Sequence, residues 1–427
     1  MTQERIMGRA QVTVPLDIPD VRVLKTEING QGELIITLES TKAGTTCHRC
    51  GRWIDQFHGH DDWVSVRHLP VFGRPTYLRY RPKRYVCQSC EGHPTTTPSL
   101  DWRDAGSPHT FAYDEHLLLQ LVGSTVEDVS IKDRVSYDAV LGVMERRISA
   151  EVDWSAYTRL EVLGLDEIAL KKGHRDFVTI VTARLQGGRV VILAVLADRE
   201  KDTVVAFLRS IPQRLSQTIH TVCCDMYEGF TEAVREEVKT ARIVVDRFHV
   251  TRHYHQGADD LRQQELHRLK KELPPEEYLL LKGSMWAFRK QPTDLRPEER
   301  RVLKKLWELA PKLKQAYDLR QQLTAIFEQN LSKEVAKRKI QAWIQQVQLS
   351  GLQCFDAFLK TLEHWWEEIT NYFIDRANSG FVEGLNNKLK VLKRRCYGIF
   401  NLKHLFQRIY LDLEGYRLFA LRPPYVA

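Results

Sequence analysis

The 427-residue sequence predicts a multidomain protein of mixed α+β and α/β type. Three observations carry that expectation. Two C-x-x-C pairs lie near the start, apolar strand-like runs alternate with amphipathic helical runs in the middle, and a long Lys/Glu/Gln/Leu-rich stretch with no strand period follows. Hydrophobic residues make up 43% and charged residues 28%, which excludes wholesale disorder, a collagen-like fibre and a coiled-coil rod. No apolar run reaches the ~18 residues of a spanning helix, so no membrane partner is expected. The opening MTQERIMGRA has no apolar core and does not read as a secretory signal. The chain has 63 Lys+Arg against 55 Asp+Glu, a net +8, which fits a polyanionic partner. Its meaning depends on where the charge sits.

Residues 1–105 read as a zinc-binding, DNA-recognition domain. VRVLKTEI and GELIITLE are strand-like. Cys47-His-Arg-Cys50 and Cys87-Gln-Ser-Cys90 then form two knuckles, whose sulfurs suit one structural Zn²⁺ with four thiolate ligands. Gly51 and Gly92 suit the tight turns that follow. The segment 51–86 is longer than a simple ribbon needs, so ordered structure is expected inside it. Within it TYLRYRPKRYV alternates, with Arg79, Arg81 and Lys83 on one face, and Arg84 follows. No acid occurs from Trp63 to Cys90, so this strand reads as a phosphate-contacting face. HPTTTPSLDW reads as a linker.

Residues 106–155 read as a helix-turn-helix. FAYDEHLLLQLV is the first helix, Ser124 is placed to cap the second and Ser136 the third. The third ends in Arg146 and Arg147, expected to meet DNA.

Residues 156–255 carry the first part of a catalytic core. LEVLGLDEIAL, FVTIVTAR and RVVILAVL predict an antiparallel meander, turned at Lys172-Gly173-His174 and at Gly187-Gly188. DTVVAFLRSIPQRL reads as one amphipathic helix, TIHTVCCD as a strand, MYEGFTEAVREEV as a helix and ARIVVD as a fifth strand. Three antiparallel strands, then helix, strand, helix, strand, is the order of a ribonuclease H-like core. Residues 256–375 read as an all-α insertion, with Trp286, Trp307, Trp343, Trp365 and Trp366 for its own core. Residues 376–427 complete the core with two further helices.

Carboxylates mark the chemistry. Asp166 shares a strand face with apolar neighbours, a costly place for a lone charge. Asp225 ends the fourth strand, and in the expected sheet it lies beside Asp166. Two such close acids need a cation between them, and Mg²⁺ prefers oxygen ligands. Glu383 lies near the start of a helix capped by Asn378. At helical spacing it shares a face with Asn386, Asn387, Lys390 and Arg394. No acid occurs from Gly384 to Leu411, and Lys393 and Arg395 add to that basic stretch, so it reads as a second DNA-contacting surface. Two Mg²⁺ (or Mn²⁺) ions among Asp166, Asp225 and Glu383 would suit an in-line displacement at phosphorus. Asp246 and His249 follow the fifth strand as auxiliary candidates, either as further ligands or as groups orienting DNA.

GLDEIALKKGH, CCDMYEGF, VVDRFHV and NSGFVEGLNNKLKVLKRRCYGIFNLKHLFQRIYL together resemble the conserved blocks of the ISL-three family of bacterial insertion-sequence transposases. CHRC, RHLP and RPKRYVCQSC resemble that family's zinc-binding head. The resemblance spans about residues 45–413. It implies an Asp-Asp-Glu transposase that binds terminal inverted repeats, cleaves the element ends and joins them to target DNA. By motif, Asp166, Asp225 and Glu383 take the catalytic, Mg²⁺-binding places, and Asp246 and His249 match a D-x-x-H. It also implies double-stranded DNA as partner, a homodimeric synapse and a bacterial cytoplasmic, nucleoid-associated location. One departure is that the helix-turn-helix region lacks a small-residue turn. Two other readings fit the same residues: a non-catalytic DNA-binding regulator derived from a transposase, and a ribonuclease H-like nuclease without strand transfer.

Overall fold

The computed structural model describes residues 15–169, 177–281, 283–376, 380–396 and 401–420, with the side chains of 380–383, 385 and 386 outside that description. The chain forms two compact units, residues 1–148 with 414–427, and residues 149–413.

In the first unit, β1 (Val21–Ile28), β2 (Leu34–Ser40), β6 (Val64–Val71) and β7 (Arg74–Tyr80) make a sheet in the order β1-β2-β7-β6. Its core is Ile36, Leu38, Val66, Leu78, Tyr80 and Trp102. The cysteine knuckles are each framed by short paired strands: β3 (Thr45–Thr46) with β4 (Trp53–Ile54), and β8 (Lys83–Val86) with β9 (Thr95–Thr96). Strand β5 (Phe57–His60) pairs with β8, so the segment between the cysteine pairs is ordered as its length requires. TYLRYRPKRYV is not one strand. It breaks between β7 and β8 at Arg81-Pro82, because proline lacks the N–H that a ladder needs.

Helices α1 (Phe111–Leu121), α2 (Val126–Asp133) and α3 (Tyr137–Arg147) follow. Thr110 caps α1, Thr125 caps α2 and Ser136 caps α3, each accepting a bond from an amide three residues on. The second cap is therefore Thr125 and not Ser124, one residue later than expected. Arg134 takes the left-handed conformation (φ 54°) at the end of α2, so the turn into α3 forms without a small residue.

The second unit is built on five strands: β10 (Val162–Ala169), β11 (Phe177–Arg184), β12 (Val190–Leu196), β13 (Thr221–Cys224) and β14 (Arg242–Val245). Their spatial order is β12-β11-β10-β13-β14. The first three pair antiparallel, whereas β10–β13 and β13–β14 are parallel. The turn expected at 172–174 lies outside the described residues. The expected single helix after β12 is two, α4 (Lys201–Ser210) and α5 (Gln213–Ser216). Pro212 disfavours helical backbone at Ile211 and cannot donate into a continuing helix. Then α4 and α6 (Glu228–Glu237) cover one face of the sheet, burying Val204, Val205, Leu208, Phe230 and Val234 on Leu163, Leu165, Val181 and Val222.

Helix α7 (Arg247–Glu272) starts directly at the end of β14, so it crosses the boundary expected at 255/256 without a break. It leads into α8 (Pro275–Leu279), α9 (Ser284–Arg289), α10 (Pro297–Leu309), α11 (Pro311–Glu328), α12 (Lys333–Ser350), α13 (Asp356–His364), α14 (Trp366–Thr370) and α15 (Tyr372–Asp375). Their core is continuous with Val162, Cys223 and Val245 of the sheet. Trp343 and Trp365 are buried in it, while Trp286 is exposed. Helices α16 (Gly380–Arg395) and α17 (Leu402–Phe419) complete the unit's covering: Leu389, Leu392, Leu405, Phe406 and Ile409 pack on Ile168, Val178, Ile180 and Ile192. That is the sheet face to which Asp166 belongs, since Asp166 and Ile168 share the parity of β10. Among the described residues, no helix is long and apolar enough to cross a membrane.

Candidate metal centres and active site

The four cysteine sulfurs of the first unit lie within 4.8 Å of one another. Cys47 Sγ is 4.0 Å from Cys90 Sγ, and Cys50 Sγ is 3.7 Å from Cys87 Sγ. Four thiolates at a Zn–S distance of ~2.3 Å in a tetrahedron stand about 3.8 Å apart, so the set fits zinc. The knuckles are closed by backbone bonds. Gly51 N–H donates to Cys47 O (3.0 Å) and His93 N–H to Cys90 O (3.1 Å), with Gly51 (φ 72°) and Gly92 (φ 76°) left-handed as those turns require. Amides of Cys50 and Arg49 pull the Cys47 thiol down to about 6. Bonds from the other sulfurs, Cys50 first, with burial, push Cys90 up to about 12. One proton is easily lost and another is held tightly, as expected where four thiols crowd one ion's place.

The basic groups expected around the zinc head are placed differently from one another. The Arg79 guanidinium lies 4.7 Å from the centre of the exposed Trp63 ring. Arg81 Nε donates to Asp61 O (2.9 Å), and Arg84 pairs with the Asp61 carboxylate (3.2 Å). Lys83 is half-buried. Arg147 is drawn into the helix triplet. It bonds the fully buried Asp114 (2.9 Å), pairs with Asp104 (2.7 Å) and sits over the Phe111 ring (4.4 Å). Arg146 reaches the same carboxylate at 3.8 Å. Arg147 is therefore a structural clasp here, a role hidden from sequence because Asp114 lies two helices upstream.

In the second unit, Leu165 on β10 pairs with Cys224 on β13, and Cys224 pairs with Val245 on β14. The next residue of each strand or strand end is then Asp166, Asp225 and Asp246. Three acids thus converge at one end of three adjacent parallel strands. The Asp166 and Asp225 carboxyls are close enough to perturb one another. Asp166 also accepts from the Glu167 amide (2.8 Å). Asp225, Asp246 and His249 offer ligand atoms within 4.8 Å of one another, and His249 Nε2 lies 3.1 Å from Asp225 Oδ1. Asp246 caps α7 by accepting from Phe248 N–H (2.8 Å), which fixes His249 one turn into the helix.

Burial, then the neighbouring Asp225, raises the Asp166 carboxyl to about 7; burial, then Asp246 and Glu167, does the same for Asp225. Acids held this far above their ordinary range mark a place where a cation would relieve the charge. Oxygen donors with one imidazole suit a hard divalent ion. Beside them Arg199 pairs with Glu167 (2.8 Å), braced between the Phe177 and Tyr227 rings. Sequence reading missed this pair, although Glu167 follows Asp166 directly.

Glu383 lies on α16, and its side chain and that of Asn386 are outside the described residues, as is the expected cap Asn378. Asn387, Lys390 and Arg394 are exposed. Other basic groups of the stretch are placed differently. Lys393 donates to Ala169 O, and burial lowers its ammonium below the usual lysine range. Arg395 bonds Asp412 (2.6 Å), and Lys388 donates to Asp412 O. The acid-free run ends at Leu411, and Asp412 is the next residue. Part of the stretch neutralises itself between α16 and α17.

A five-stranded mixed sheet with carboxylates gathered along its parallel strands defines an α/β protein with an acidic cluster that could hold a cation. Comparison with known proteins sharpens this. Residues 163–409 match the ISL-three (ISL3) family model, described as transposase, and residues 43–90 match the model of the zinc-finger of transposase IS204/IS1001/IS1096/IS1165. The chain belongs to the ISL-three transposase family. It is 28% identical over 384 residues to the transposase for insertion sequence element IS1001 of Bordetella parapertussis, covering 90% of this chain and 92% of that protein. It is 25% identical over 397 residues to the transposase for IS1557 of Mycobacterium tuberculosis, covering 87% and 86%. The Drosophila P element transposase strand transfer complex aligns with a TM-score of 0.39 at 10% identity, over 72% of this chain and 92% of that chain.

Proposed function

We propose that this DNA transposase binds the terminal inverted repeats of its insertion sequence, cleaves the element ends and transfers them to target DNA through Asp166, Asp225 and Glu383. The observation that carries the reading is the convergence of Asp166 and Asp225 on neighbouring strands, both raised to about 7 by burial and by the acids around them. The sheet order supports a ribonuclease H-like core. Two Mg²⁺ or Mn²⁺ ions held there would activate a water or a DNA 3′-hydroxyl and stabilise the leaving oxygen. Asp246 and His249 sit where they complete the ligand set or hold Asp225 in orientation. Packing of α16 on the Asp166 face supports Glu383 as the third carboxylate. Zinc on Cys47, Cys50, Cys87 and Cys90 would fix the head that recognises DNA, with the exposed Arg79, Arg81 and Arg146 among the basic groups that would meet it. Asn387, Lys390 and Arg394 would hold the reacting strand. A homodimer acting on nucleoid DNA in the bacterial cytoplasm completes the reading.

The test is strand transfer from labelled cognate ends into an acceptor plasmid with Mg²⁺, comparing wild type with Glu383→Gln and Asp225→Asn. Joined products with wild type alone are expected. Cleavage without joining would favour a nuclease. Repeat binding with neither cleavage nor joining, even by wild type, would point to a DNA-binding regulator.

A further inference from the structure

One cavity of the second unit, about 280 Å³, is not part of the carboxylate site. Phe248, Arg252, His255 and Asp259 line it from α7, and Arg289 and Arg320 from neighbouring helices. The four α7 residues recur at helical spacing on one face. At 1.5 Å per residue, Arg252 and His255 lie about 9 and 14 Å along the helix from Asp246. A stacked DNA strand rises 3.4 Å per nucleotide, so the cavity is a few nucleotides from the carboxylates.

Its polar groups are incompletely satisfied. Arg320 is 1% exposed. It donates to Phe288 O (2.5 Å) and lies against the Phe288 and Tyr317 rings, yet its Nε has no partner. Burial lowers it only to about 10, so it stays charged at neutral pH. Among the described residues no carboxylate pairs with it. The cavity's one acid, Asp259, is already held by Arg262 (2.7 Å) and Arg289 (2.8 Å). A buried cation with no direct ion-pair partner is costly, and an arriving anion would relieve it. Arg252 is exposed and makes no ion pair among the described residues. His255 Nε2 is also unpartnered, and burial holds that ring near 4, hence neutral. Phe248 is 48% exposed, with its ring edge-to-face with that of His249. Cations, a neutral imidazole and an open aromatic face match a phosphate joined to a base.

We propose that the cavity receives one nucleotide of the DNA strand flanking the reacting phosphate, turned out of the duplex, with its phosphate on Arg252 and Arg320 and its base against Phe248 and His255. This rests on the carboxylate cluster being the reacting centre. A free mononucleotide has the same chemistry, so the test separates the two sources.

The full-length Asp225→Asn chain is bound to end DNA carrying 2-aminopurine at successive positions around the cleavage site. Fluorescence is expected to rise at one position. Phe248→Ala and Arg252→Ala, both at exposed side chains, are expected to reduce that rise about tenfold, in line with base stacking, while duplex binding and zinc content persist. No brightened position, or equal brightening in both variants, overturns the proposal. Displacement of the signal by dAMP, with dAMP binding as tightly as the strand, overturns the strand assignment. Wild type serves as the control. If it cleaves the same ends while no base turns out, the cavity proposal fails and the catalytic reading stands. If it does not cleave, the catalytic reading is what fails.

Discussion

Removing the charge at Asp225 acts in two opposite directions. Asp225→Asn takes away a proposed metal ligand, and strand transfer is expected to fall by on the order of a thousandfold or more, measured on labelled ends. It also removes a buried like-charge neighbour of Asp166, so the metal-free variant is expected to melt at a higher temperature than wild type above pH 7. The pH dependence has a definite sign. Both acids are raised to about 7 in the fold from an ordinary 3.8. The folded chain therefore binds more protons than the unfolded one between about 4 and 7. The stability these groups contribute is complete below about 4 and is lost as pH rises through 7. Without added Mg²⁺, the melting temperature should fall across that window, and Mg²⁺ should raise it more at pH 8 than at pH 6. Scanning calorimetry at the two pH values checks this; an equal Mg²⁺ effect at both would count against the site. At this scale the sequence was informative where a residue violated its surroundings. Asp166 stood out as an acid on an apolar strand. Arg147, Lys393 and Arg395 did not, because whether a cation faces solvent depends on acids far away in sequence, such as Asp114, or just past the end of an acid-free run, such as Asp412.

Helices and strands were legible where period and punctuation agreed. The β10–β14 order followed from apolar runs bounded by turns, and Pro212 and Pro82 cut elements that periodicity alone would have continued. The α7 boundary was not legible, because a helix that leaves a strand through its own Asp246 cap shows no linker. Close approach between elements was equally hidden. Gly257 on α7 faces the Cys354 backbone, where a Cβ would lie 2.1 Å from the carbonyl oxygen. Gly257→Ala should therefore destabilise the second unit by roughly 1–3 kcal/mol as the helix is pushed away. Urea unfolding followed by tryptophan fluorescence would register the change. An unchanged midpoint would mean that the contact yields easily.

Over the whole chain, the cysteine knuckles differ from the second unit in the origin of their stability. The second has large apolar cores, whereas the knuckles of the first bury little beyond Cys47, Ile54, Tyr85 and Cys87. A tetrathiolate zinc site is worth ~10 kcal/mol or more in small domains, so chelation or Cys50→Ser should abolish ordered structure around the knuckles. Calorimetry should then show a zinc-dependent transition that leaves the second unit's transition in place. A single transition unmoved by chelator would argue against structural zinc.

The Asp412 clasp on Arg395 and Lys388 has a consequence in time as well as in space. Ribosomes deliver the chain from its first residue onward. The four cysteines and the three helices behind them emerge early, and Asp166, Asp225 and Asp246 follow. Glu383 comes late, and the residue that ties its helix to α17 comes later still. A nascent or prematurely ended chain can therefore carry the whole first stretch, residues 1–148, without Asp166, Asp225, Asp246 or Glu383. On the proposed reading, in which Glu383 is the third carboxylate, cutting would wait for α16 to be made, while the cysteine head is present from the outset.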